Sequence, residues 1–251
     1  MNGKKKIKIY GERNTNTNYL SELINLNLKA NEIKGTVPPY VIRLQHHLPG
    51  NEMVKDIYFG LTYFQNLGWK HTRIKTEEKL KKYRIVNNNL ILITITKNPY
   101  SWLLSLYKRP YNQYYNSKPD FYTFLRKKWK IVGRDNITHV LNNPIELWNI
   151  KNASYLQITD INILNLTSEG LLRDPESVLK TISAKFNIEK TTSFFKNHHQ
   201  STKNKNKNFK YYQDYYLNKK WREKLSSKEI NLINEYLDEK LMHKFGYEYL
   251  L

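Results

Sequence analysis

The sequence predicts an α/β fold of three layers, with a central, mainly parallel sheet flanked by helices. Two observations carry this. Residues 90–96 read LILITIT, a run of apolar and β-branched side chains that suits a strand covered on both faces. Along the rest of the chain, segments of strand character alternate with segments of helical periodicity. That is the pattern of parallel strands joined by helical crossovers.

The first strand is expected at 6–10, where Ile7 and Ile9 alternate after a basic start. Residues 11–17 form a polar loop. Asn18 caps or opens a helix whose one face carries Leu20, Leu23, Ile24 and Leu28. Residues 36–50 contain Pro38, Pro39, Pro49 and Gly50 and read as loop. Residues 58–69 are aromatic and mixed, with a short strand ending near Trp69. Residues 76–83 form a charged helix. After the strand at 90–96, Lys97-Asn98-Pro99 stops the ladder, and Pro99 stands at the start of a helix over 100–107. Helices follow at 120–130 and 144–150, then a strand at 158–166. Asp174 caps a helix with Pro175 at its first position, running to about Phe186. Residues 201–210, STKNKNKNFK, form a basic, low-complexity loop that is expected to be mobile. One amphipathic helix opened by Ser227 spans 227–244. One domain is expected over 1–251.

Composition bounds the function. The 251 residues are 14% aromatic, enough to bury a core. There is no cysteine, which excludes disulfide scaffolds, thiolate metal sites and cysteine nucleophiles. Lys and Arg number 42 against 22 Asp and Glu, a net charge of +20 that points to an anionic partner. The opening residues have no apolar signal core, and no apolar run approaches the ~18 residues of a membrane span, so a cytoplasmic location is expected. His46-His47 and His198-His199 have no convincing carboxylate partners, and no metal is expected.

Residues 10–20, YGERNTNTNYL, carry the most information. A loop between a strand and a helix N-terminus aims backbone N–H groups at one spot, which suits a phosphate. Thr15 and Thr17 offer hydroxyls, and Arg13 a planar cationic fork. No Gly-Lys-Ser/Thr occurs, so this is not the nucleoside-triphosphate loop. Lys97 stands at the carboxyl end of the strongest strand, with Ser105 in the helix after it. The two form a second phosphate grip, since ligands of open α/β sheets bind off that end. His71 beside Lys70 fits a general base whose pKa the lysine holds down. Glu12 is a second carboxylate base candidate, or a structural carboxylate paired with a cation.

Taken in order, these segments resemble the sulfotransferases that use 3′-phosphoadenosine 5′-phosphosulfate (PAPS). Residues 13–20 are similar to that family's R-N-T-G-T-N-Y-L loop, which binds the 5′-phosphosulfate. Asn16 stands in place of the glycine, and asparagine is the best non-glycine residue for a left-handed position. Lys97-Asn98-Pro99 through Ser105 matches the family's R-N-P-x-x-x-x-x-S spacing, with Lys for Arg. Lys70-His71 resembles the catalytic histidine and its neighbouring lysine. Residues 169–176, EGLLRDPE, resemble Y-E-D-L-x-x-D-P-E, and 236–247 resemble the C-terminal helix of bacterial-type members.

The resemblance implies a P-loop-like fold and sulfuryl transfer from PAPS to a hydroxyl or amine of a glycan or other small molecule. It implies His71, Lys70 and Arg13 as catalytic residues. It implies Arg13, Asn14, Thr15, Asn16, Thr17, Asn18, Lys97 and Ser105 as donor-binding residues. There is no clear G-x-x-G-x-x-K segment; Lys203 or Lys205 is expected to close over the nucleotide instead. The acceptor pocket is expected from 36–63 and 108–129. No specific nucleic acid is expected, but peripheral contact with an anionic surface is compatible with the charge. The alternatives are a nucleotide kinase, a non-enzymatic basic nucleic-acid-binding protein, with tyrosines such as Tyr211 and Tyr212 stacking on bases, and an inactive sulfotransferase-like fold.

Overall fold

A computed structural model describes residues 4–47, 51–200 and 206–251. Among these residues four strands form one sheet in the order β2-β1-β3-β4, parallel throughout: β1 Lys6–Gly11, β2 Asn31–Glu32, β3 Leu90–Thr96 and β4 Ile163–Thr167. The helices are α1 Thr17–Asn27, α2 Pro39–His47, α3 Asn51–Leu61, α4 Tyr63–Asn66, α5 Glu77–Lys81, α6 Pro99–Lys108 and α7 Phe121–Arg126. They continue with α8 Pro144–Leu156, α9 Ser168–Arg173, α10 Pro175–Phe186, α11 Phe209–Leu217, α12 Ser227–Tyr236 and α13 Glu239–Lys244.

The pleat sorts the strand residues into two cores. Ile7 and Ile9 of β1 and Ile91, Ile93 and Ile95 of β3 face one side, against Leu20, Leu23 and Ile24 of α1 and Leu179 and Ile182 of α10. Tyr10, Leu90 and Leu92 face the other, against α6, α8 and α12, where Trp102, Trp148 and Ile233 pack. Every residue of β3 is buried, as its unbroken apolar run requires. The fold is therefore a three-layer α/β arrangement around an all-parallel sheet.

Several local expectations are corrected. Residues 39–47, read as loop, form α2, because Pro39 occupies the first helical turn where its missing N–H costs nothing. No strand ends near Trp69. That stretch is α3 and α4 followed by a loop, which Leu67 and Gly68 turn at φ 55° and 81°. The strand expected at 158–166 begins later, at Ile163. The helix expected over 120–130 stops at Arg126, while α8 runs on to Leu156. The helix expected over 227–244 is two, α12 and α13. Ser226, rather than Ser227, closes a capping box with Glu229, and Asp238 caps α13 after an extended Leu237. Of the expected mobile loop at 201–210, residues 201–205, with Lys203 and Lys205, lie outside the described residues. Lys210 is already helical, in α11.

Candidate functional site

The loop between β1 and α1 is shaped by two left-handed asparagines, Asn14 at φ 68° and Asn16 at φ 67°. Asn16 is also the N-cap position of α1 but makes no side-chain cap bond. Instead its Nδ2 donates to Ser168 Oγ at 2.8 Å, at the start of α9. The left-handed geometry expected of a glycine thus stands with asparagine, its side chain engaged by α9. No acidic residue lies in the first turn of α1, so its N–H groups and positive dipole end face no carboxylate of their own helix. Gly11 admits no side chain: a Cβ there would lie 2.6 Å from Ile95 and 2.8 Å from Thr15 Oγ1. Thr15 donates its hydroxyl to Glu12 O at 2.6 Å and closes the turn, while Thr17 is buried in the first turn of α1.

His71 is attached to this loop. Its Nδ1 lies 2.5 Å from Gly11 O. A carbonyl only accepts, so Nδ1 carries the proton and Nε2 carries the lone pair. Burial, and then the charge of Lys70, hold the imidazole well below its usual range, against the bond to Gly11. Lys70 is likewise lowered, mainly by burial, and donates to Asn18 Oδ1 on the first turn of α1. Arg13 lies over the rings of Tyr111, 4.5 Å away, and Trp69, 5.6 Å away. Trp69 meets the His71 ring edge-on at 5.0 Å. His71 sits in the loop after α4 and not after a strand. The Lys70 backbone reaches the carboxyl end of β1 nonetheless, accepting from Gly11 N at 2.9 Å and donating to Gly35 O at 3.0 Å.

Lys97 and Ser105 meet at the other end of the loop. Lys97 Nζ donates to Ser105 Oγ at 3.1 Å and to Asn14 O at 3.4 Å. Ser105 in turn donates to Ser101 O. Asn98 caps α6 by accepting from Tyr100 and Ser101 N–H groups, so the Lys97–Pro99 turn is fixed by its own asparagine. A residue that sequence reasoning missed joins this pair: Tyr216 of α11. Lys97 Nζ lies 3.8 Å from its ring centre. Burial raises that phenol, but the Lys97 charge and the polar groups of Lys97 and Ser105 beside it outweigh burial and hold its pKa below the ordinary tyrosine value.

Beneath the loop lies a buried polar network that the sequence did not disclose. Lys151 of α8 donates to Asp135 Oδ1 at 2.6 Å, Glu12 Oε1 at 3.2 Å and His71 O at 2.7 Å. Glu12 also accepts from Tyr111 at 2.6 Å. Burial raises the Glu12 carboxyl, with Lys151 opposing. Glu12 is therefore the structural carboxylate, paired with a cation. One signal was available: Lys151 lies in a helix that carries Ile145, Leu147, Trp148 and Tyr155 all round, and such a helix is buried on every side.

The structure thus brings Arg13–Asn18, Lys70, His71, Lys97 and Ser105 to the carboxyl ends of the adjacent strands β1 and β3. Lys203 and Lys205 lie outside the described residues. Among the described residues no cluster of metal-ligating side chains occurs, and no helix is long and apolar enough to cross a membrane. Comparison with models of protein families gives no match, and comparison with curated proteins gives none.

Proposed function

We propose that the chain transfers a sulfuryl group from PAPS to the hydroxyl or amine of a glycan or other small molecule. The observation that carries this reading is convergence on one loop. A neutral, oriented histidine is bonded to Gly11, where β1 runs into the loop, and a Lys–Ser–Tyr cluster holds its other side. His71 Nε2 takes the proton of the acceptor O–H. The acceptor oxygen bonds to sulfur as the bond from sulfur to the 5′-phosphate oxygen breaks, and 3′,5′-ADP leaves. Lys70 and Arg13 balance the charge that gathers on the sulfuryl and leaving oxygens, and the α1 amides hold the 5′-phosphate. Lys97, Ser105 and Tyr216 receive the 3′-phosphate. The sequence resemblance supports the same assignment.

Calorimetric titration with 3′,5′-ADP, beside 5′-ADP and ATP, tests the donor site. Binding that depends on the 3′-phosphate, and that weakens about tenfold to a hundredfold in Lys97→Ala, is expected. Equal binding of 3′,5′-ADP and 5′-ADP would sink the assignment. His71→Ala is expected to bind 3′,5′-ADP like the native chain and to lose turnover by at least about a hundredfold. Native turnover should persist to well below pH 6.5, because His71 stays unprotonated there.

A further inference from the structure

Helix α3 carries its polar face inward. Asp56 accepts the N–H groups of Gly133 and Arg134 at 2.8 and 3.2 Å and pairs with the Arg134 guanidinium at 2.7 Å. Glu52 pairs with the same guanidinium, and Phe59, 3% exposed, completes the inward face. The outward face is apolar: Met53 is 61% exposed, Ile57 55% and Leu61 71%, and Phe64 of α4 is 56% exposed. A helix facing water carries the opposite pattern. Tyr40 and Leu44 of α2, 65% and 50% exposed, extend the surface. The Tyr40 ring meets Tyr58 of α3 at 6.5 Å, joining the two helices. Single exposed apolar side chains are ordinary; a contiguous set on adjoining helices marks an interaction surface.

Charge selects the occupant. The only acids of α2–α4 are Glu52 and Asp56, and Arg134 holds both. Among the described residues of these helices, Arg43 is the exposed Arg or Lys, one position before Leu44. The chain as a whole carries +20, so a second copy is repelled while an anionic lipid surface attracts it. We propose that α2–α4 form a membrane-docking face that lays Met53, Ile57, Leu61 and Phe64 into the headgroup–acyl boundary of an anionic bilayer. This stands independently of the reaction assigned above.

The test is co-sedimentation with phosphatidylcholine vesicles, with and without phosphatidylglycerol. The native chain is expected to bind the mixed vesicles at least about tenfold better than the neutral ones, and less well at high salt. The double variant Ile57→Asp, Leu61→Asp is expected to bind at least about tenfold more weakly, while Val140→Asp, at an exposed position elsewhere, binds like native. Equal binding by the double variant would overturn the proposal. So would sedimentation velocity showing a native dimer that the double variant dissolves, since the face would then join two copies. Phe64→Trp, a conservative change, gives a readout that does not depend on the double variant folding. Its added fluorescence should be quenched by lipid brominated in the acyl chain, and unquenched emission would also overturn the proposal.

Discussion

Asn16 shows how a single residue decides whether the loop survives. The backbone needs φ 67° there, which costs an ordinary side chain about 1–2 kcal/mol and an asparagine less. Its amide adds a bond to Ser168 that a glycine would lack. Asn16→Gly is expected to keep the loop, with thermal stability changed by under about 1 kcal/mol and 3′,5′-ADP affinity retained. Asn16→Ala, which loses both the conformational tolerance and the bond, should lower the melting temperature by about 3–6 °C. Equal melting temperatures for the two variants would show that the left-handed turn is not what the asparagine supplies. Tyr216 makes the complementary point. Nothing in the run of tyrosines 211, 212, 215 and 216 distinguishes the last one by sequence. It is set apart only by α11 folding back onto Lys97 and Ser105.

At the scale of elements, α8 ties the site together through Lys151, which is fully buried between Glu12 and Asp135. Removing one partner of a buried ion pair strands the others, so Lys151→Met is expected to cost about 3–5 kcal/mol in chemical denaturation. A loss below about 1 kcal/mol would mean that the network contributes little to the fold. Elements were legible where local signals agreed with tertiary packing. LILITIT could only be a covered strand, and Asp174-Pro175 cap and open α10 as their chemistry dictates. They were illegible where one local signal has two meanings. Pro38-Pro39 reads as a breaker, yet Pro39 starts α2. The apolar spacing across 230, 233, 237 and 241 runs straight through the break at Leu237, because both helices pack into the same core. The loop 10–20, Lys70-His71 and Lys97…Ser105 were readable as candidate pieces. Their joining was not, because it depends on bonds spanning long sequence separations, such as His71 to Gly11 and Lys151 to Glu12.

The molecule as a whole carries a pH signature. Lys8 occupies a core position of β1, donating to the carbonyls of Asn66 and Gly68 at 2.5 and 2.7 Å, and burial lowers its pKa from 10.5 to about 7. Between these values the unfolded chain holds a proton that the folded chain has released. Stability therefore rises with pH from about 7 toward about 10. Lys70 and His71, both lowered, act with the same sign, His71 below about pH 6.5. Buried tyrosines reverse the slope above about pH 10, Tyr100 among them, which burial raises to about 12. Guanidinium unfolding at about pH 6, 7.5 and 9 should show stability increasing across the series, and Lys8→Met should flatten it. A native chain most stable at the acid end would contradict the assignment.

The sheet order has a consequence for how the molecule assembles. Every ladder of the sheet is parallel, so among the described residues none of its strands are joined by a hairpin, and β1 meets β3 only when Lys6 comes to lie beside Leu90. The Gly11 and Thr96 ends of those two strands are where the Arg13–Asn18 loop and the Lys97–Ser105 pair hang. Chain closure on that scale is entropically costly and comes late for sheets of such non-local pairing. A nascent or truncated chain that stops before β3 holds the Arg13–Asn18 segment, Lys70 and His71 but lacks the Lys97–Ser105 pair that meets the segment from the other side. On the proposed donor site, 3′,5′-ADP affinity should therefore report completion of the sheet, emerging in one step when β3 inserts rather than building up as the polypeptide lengthens.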